Sequence, residues 1–78
     1  MTIEEIVKEI IADVFKKKVN ELSFETSFVD DLHAKSVQII ELLALLEDKF
    51  NISIPFAEVK KNKTIGEAIE YIKGKLGN

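Results

Sequence analysis

The sequence predicts an all-α fold: a small four-helix bundle, three longer helices plus one short helix, with a long structured loop between helices one and two. Three observations predict it. Apolar residues recur at helical spacing in three separate stretches. Two of those stretches open on a Thr-x-x-Glu capping box, Thr2 with Glu5 and Thr64 with Glu67. Finally, 78 residues with 46% hydrophobic and 32% charged content suit one globular core, so residues 1–78 are expected to form a single domain.

The first helix is expected over about Ile3 to Lys17, with Ile3, Ile6, Val7, Ile10, Ile11 and Val14 on its apolar side. Lys16, Lys17 and Lys18 then complement the dipole at its carboxyl end. From Lys18 to Lys35 the chain shows no helical period, and a connection this long in so small a domain tends to be functional. Leu22, Phe24, Phe28, Val29 and Leu32 are spaced through it and are expected to pin it to the bundle.

The second helix is expected over about Val37 to Phe50. Turning each residue by about 100° places Ile39, Leu42, Leu43, Leu46 and Phe50 on the core side. Val37, Glu41, Ala44 and Asp48 share the opposite side, flanked by Ile40 and Glu47, with Leu45 nearer its other edge. Exposed apolar groups ringed by acids suit a docking surface; crowded packing in a small bundle is the other reading. In "SIPFAEVKKN", Pro55 is placed as the first residue of a short third helix that carries Phe56 and Val59 inward. The last helix is expected from about Ile65 to Leu76, with Ile65, Ala68, Ile69, Ile72 and Leu76 on one side and Gly77 as its stop.

Charge is unevenly spread. The net charge is -3, but between Asn20 and Val59 eight acids face only Lys35 and Lys49, a local net of -6. Every basic residue is lysine, and arginine is the usual fork for phosphate and base edges, so nucleic acid is not an expected partner. Basic protein surfaces are. No cysteine is present, which removes disulfides, thiolate metal sites and thiol nucleophiles; no metal site is expected. No apolar run approaches the roughly 20 residues that cross a bilayer, and "MTIEEI" is acidic where a secretory leader is basic. A cytoplasmic protein without membrane insertion is therefore expected.

Ser36, between Lys35 and Val37, is the residue that composition does not explain. Three readings are open. As a helix cap it is ordinary, because serine accepts the free amides at a helix start well. As a nucleophile it has His33, Asp30 and Asp31 nearby, but no Gly-x-Ser-x-Gly elbow and no room for a pocket with a catalytic shell, so an enzyme is not expected. As an attachment point it would set a phosphate ester against free backbone amides at the positive end of a helix dipole.

The stretch "DLHAKSVQIIELLALLEDKFNISIP" resembles the signature of acyl carrier proteins, in which an Asp-Ser-Leu motif opens the second helix. The wider pattern, from "SFVDDL" through "ALLEDKF" to the last helix, covers nearly the whole chain. The resemblance implies that Ser36 carries phosphopantetheine, installed from coenzyme A by a phosphopantetheinyl transferase, and that the terminal thiol then carries acyl groups as thioesters. It matches Leu32 to the loop leucine and Glu41, Glu47 and Asp48 to acidic recognition positions. The implied partners are acyl-loading, acyl-transferring or condensing enzymes of fatty-acid, polyketide or related lipid synthesis, meeting the protein as a monomer through basic docking patches.

Phe28, Leu32, Ile39, Leu46, Ile54, Val59, Ala68 and Ile72 are the candidates to part around an alkyl chain, plain packing being the alternative. The chain departs from the pattern at Lys35 (usually aspartate), His33 (usually glycine) and Val37 (usually leucine), which implies a specialised partner set. An aminoacyl or peptidyl carrier, and a helical interaction module that is never modified, are the rival functions.

Overall fold

The computed structural model describes residues 1–77. Along it run α1 (Ile3–Phe15), a single 3-10 turn (Val19–Glu21), α2 (Ser36–Phe50), the short α3 (Phe56–Val59) and α4 (Ile65–Lys75). The chain is a small helical bundle in which α1 packs on α2 and on α4. Its radius of gyration, 11.2 Å, is close to the ~11.5 Å expected for a compact chain of this length, so the long loop lies against the helices rather than projecting from them.

Both capping boxes form. Glu5 N donates to Thr2 Oγ1 at 3.1 Å while Thr2 N donates to Glu5 Oε1 at 2.8 Å, and Thr64 with Glu67 repeats the arrangement at α4. The hydrogen bond from the Thr2 amide, then that from its hydroxyl, holds the Glu5 carboxyl below its ordinary value. A depressed carboxyl stabilises the fold above its unfolded pKa, and that contribution disappears as pH falls through the folded value. α1 stops two residues short of the expected end. Lys16 is its left-handed C-cap (φ 57°), and none of the three lysines falls within its last turn. Lys73 Nζ donates to Glu4 Oε1 at 3.0 Å and ties α4 back to α1.

Val7, Ile11, Ile65, Ile69 and Ile72 form the most deeply buried part of the core. Leu42 and Leu46 bury the inner side of α2, with Ile39, Leu43 and Phe50 half-buried beside them. The loop is pinned only in part as expected. Leu22, Phe28 and Leu32 are buried, and the Phe28 ring lies 6.3 Å from that of Phe15, but Phe24 is 45% exposed and Val29 70%.

The stronger tether is the backbone. Phe28 N donates to Lys63 O, Ile65 N to Thr26 O and Gly66 N to Phe24 O, all within 3.0 Å, and Ser27 bridges Thr64. Gly66 suits this approach, since a Cβ there would stand 3.0 Å from Phe24 O and 3.1 Å from Phe24 Cβ and would press the loop back by a few tenths of an ångström. Phe24 therefore holds the loop through its main chain, and its ring stays outside under the Lys8 ammonium at 5.2 Å.

The third helix also differs from expectation. Pro55 is its N-cap rather than its first residue, and Phe56 is nearly half exposed, whereas Val59 is half-buried against the core. α4 ends at Lys75 with Leu76 as its cap, followed by Gly77 at φ 82°. None of the described helices is long and apolar enough to cross a membrane.

Candidate functional site

A reciprocal turn delivers the chain to α2. Ser27 N donates to Asp31 Oδ2 at 2.7 Å and Asp30 N to Ser27 Oγ at 3.0 Å, so the Asp31 carboxylate and the Asp30 main chain shape the loop before the helix. His33 then adopts a left-handed backbone (φ 51°), which lets Ala34 N reach Phe28 O at 2.8 Å. Left-handed geometry costs a residue with a Cβ about 1–2 kcal/mol, against about 0.5–1 kcal/mol of extra chain entropy for glycine. His33→Gly is accordingly expected to be neutral to stabilising by up to about 1 kcal/mol, read as an unchanged or raised Tm.

Ser36 is not the cap of this helix. Lys35 occupies the N-cap position with an extended backbone, and Ser36 is the first helical residue. Lysine has no acceptor with which to hold the free amides, and its own amide is satisfied instead by Gln38 Oε1 at 2.9 Å. No acid lies in the first turn of α2. The start of α2 is thus an exposed hydroxyl among backbone amides whose partial positive charge no side chain offsets.

No hydrogen bond among the described residues involves the Ser36 hydroxyl or the His33 ring, and Asp31 bonds Ser27 instead; the Ser-His-Asp spelling in the sequence is not an assembled triad. Lys35, exposed beside Ser36, forms no salt bridge among the described residues.

Behind Ser36 lies a cavity of about 540 Å³, open on one side, within the usual range for small-molecule sites. Ser36 contributes to its rim, and seven of the eight residues singled out from the sequence line it: Phe28, Ile39, Leu46, Ile54, Val59, Ala68 and Ile72. Leu32 is buried in the core but does not line the cavity. Sequence reasoning missed Asn62, Lys63 and Tyr71 on its polar side, which sit on irregular chain or at the edge of α4, where no apolar period points to them. It also missed Leu43 and Phe56 among the apolar walls.

The outer side of α2 carries Val37 (69% exposed) and Ile40 (56%), with Ala44 and Leu45 also exposed and Glu41 and Asp48 among them. Glu47 stands apart from this group. It is half-buried, and its Oε2 accepts from Ile54 N at 2.7 Å.

Residues 5–72 match the family described as "Phosphopantetheine attachment site". The chain is 44% identical over 69 residues to the acyl carrier protein of Clostridium acetobutylicum, covering 88% of this chain and 90% of that one. It is 40% identical to the acyl carrier protein of Lactobacillus acidophilus, covering 99% of this chain and all of the relative. Among solved structures, the acyl carrier protein of Enterococcus faecalis superposes with a TM-score of 0.76 at 28% identity, over 96% of this chain and 99% of that one. The family, the helical fold and the phosphopantetheine group agree with what the sequence motif implied. A match of this extent to the family, with relatives 40% and 44% identical over 99% and 88% of the chain, shows that the chain belongs to the phosphopantetheine-binding acyl carrier proteins.

Proposed function

We propose that Ser36 is the attachment residue and that the protein carries acyl groups without catalysing their reactions. The observation that carries this reading is the Ser36 hydroxyl itself: exposed, at the first position of α2, on the rim of an apolar cavity, among amides that no acid neutralises. The residues fit the prosthetic group. A phosphodiester at Ser36 Oγ would meet the free amides at the start of α2 and the Lys35 ammonium nearby. Attachment forms the Ser36 Oγ–P bond as the pyrophosphate link of coenzyme A breaks; an adenosine bisphosphate leaves, and the hydroxyl proton passes to the transferase. When bound, the group supplies the thiol that this cysteine-free chain lacks, and with it a thioester link to the cargo.

The cavity walls supply shelter for that cargo. Ile39, Leu46, Ile54, Val59 and Ile72 are alkyl side chains, which favours an acyl chain of fatty-acid, polyketide or related lipid synthesis over an aminoacyl or peptidyl group. Val37, Ile40, Glu41, Ala44 and Asp48 form the face offered to enzymes with basic docking patches, the acids guiding approach and the apolar groups being covered on contact. Incubation with coenzyme A, magnesium and a broad-specificity transferase tests the assignment: one phosphopantetheine per chain is expected, and none would identify an unmodified interaction module.

Lys35 sets which enzymes are met. An exposed lysine beside a phosphodiester is worth only about 0–1 kcal/mol to stability, so its larger effect falls on recognition, where it repels a basic patch. Lys35→Asp is expected to be modified faster than wild type by a generalist transferase at low salt, with the gap closing as the screening length falls to about 3 Å at 1 M salt. Equal rates at both salt concentrations would make Lys35 a neutral surface residue.

A further inference from the structure

Glu47 sits on α2 at the seam between the exposed docking face and the cavity, about one turn from Leu43 on one side and about two turns from Ile40 on the other. It holds nearly all of the connection to α3. Its carbonyl accepts from Asn51 N and from Ile52 N at 3.2 Å, and its carboxylate accepts from Ile54 N at 2.7 Å. Pro55 follows with no N–H to give. Ile54 is buried in the cavity wall, and Phe56 and Val59 continue that wall along α3. A helix of four residues has little stability of its own, and the bonds near it, such as Glu58 N to Pro55 O at 2.9 Å, Lys61 Nζ to Glu58 Oε2 at 3.2 Å and Asn62 Nδ2 to Glu58 O at 3.0 Å, are internal to that segment.

We propose that Glu47 is a positioning residue that couples docking to cavity access: a cationic side chain of a docked enzyme draws the Glu47 carboxylate from the Ile54 amide and frees the wall formed by Ile54, Phe56 and Val59. The coupling has a physical cause. An ionised carboxylate bonds a lysine or arginine more strongly than a neutral amide, so a docked cation competes for it. The Ile54 N–H, once abandoned, is a buried donor without a partner, and the segment relieves that cost by moving its amide to water. The second oxygen of Glu47 makes no hydrogen bond among the described residues, which leaves it an acceptor for a partner's cation. This inference rests on the reading of α2 as the docking face and of the cavity as the cargo shelter.

The test uses the full, unmodified chain labelled with nitrogen-15. Amide exchange at Ile54 is expected to be roughly tenfold faster or more in Glu47→Ala than in wild type, with Ile11 and Ile69 amides unchanged. Glu47→Gln keeps an acceptor and is expected to restore slow exchange. Adding a lysine-rich amphipathic helical peptide should speed Ile54 exchange in wild type and leave the Gln variant slow. Unaltered Ile54 exchange in Glu47→Ala, or no response of wild-type Ile54 to the peptide, overturns the proposal.

Chains then loaded at Ser36 with an octanoyl thioester should lose it to hydroxylamine faster in Glu47→Ala and with the peptide, and equal rates would overturn the coupling to the cavity. A chain that accepts no phosphopantetheine defeats the carrier reading, while the exchange measurements still decide the role of Glu47.

Discussion

Ser36→Ala is expected to abolish phosphopantetheine uptake completely while leaving the fold intact. The Ser36 hydroxyl is exposed and makes no hydrogen bond among the described residues, and Lys35, not Ser36, occupies the cap position, so nothing structural is removed with it. Alanine is also the best helix former at an exposed helical position. The stability change should stay within about 0.5 kcal/mol, as for other surface substitutions. No other serine can replace it. Ser27 Oγ accepts from Asp30 N, Ser23 pairs with Thr26, and Ser53 lies in the connection after α2; none opens a helix. Intact mass after incubation with coenzyme A and transferase, alongside a thermal melt, checks both halves. Residual modification of a folded Ser36→Ala chain would remove Ser36 from its role.

The largest expected effect on stability belongs to Ile11→Ala. Ile11 is wholly buried and does not border the cavity, so the deleted carbons leave a new void rather than enlarging an existing space. Such changes cost about 2–5 kcal/mol, whereas a domain of this length has in total only about 4–12 kcal/mol. At roughly 4–8 °C per kcal/mol, Tm should fall by at least about 8 °C. Val37→Ala, on the exposed face of α2, is the contrast and should shift stability by about 0.5 kcal/mol or less. Comparable losses from the two substitutions, measured by thermal melts followed by circular dichroism, would mean that α2 buries the face assigned here to docking.

Periodic side chains and caps made the helices legible before any coordinates. The Thr2–Glu5 and Thr64–Glu67 boxes mark two helix starts by residue type alone, and the apolar spacing of α2 separates Leu42 and Leu46 from Val37 and Ile40. What the sequence concealed lies in main-chain contacts, which leave no residue-type signal. Phe24 looked like an apolar anchor, yet its carbonyl does the anchoring, through Gly66 N, and its ring remains outside. Glu47 looked like one more surface acid, and its bond to the Ile54 amide depends on how the connection after Asn51 turns back, which spacing along α2 does not encode.

Of the three readings open for Ser36, the cap is one that the structure does not bear out, although a serine at a helix start is most often the cap. Here Lys35 takes that place, with its own amide bonded to Gln38. His33 shows the reverse case: a departure from the family pattern visible in sequence whose meaning, a left-handed residue in a tight turn, is supplied only by φ.

Peptide-level mass analysis of the protein purified from its native host tests the central claim most directly. The peptide containing Ser36, and no other, is expected to carry phosphopantetheine in at least part of the population, free or loaded with an acyl group whose mass reports the cargo. A population in which Ser36 is bare throughout, or in which the group sits on Ser23, Ser27 or Ser53, would contradict it.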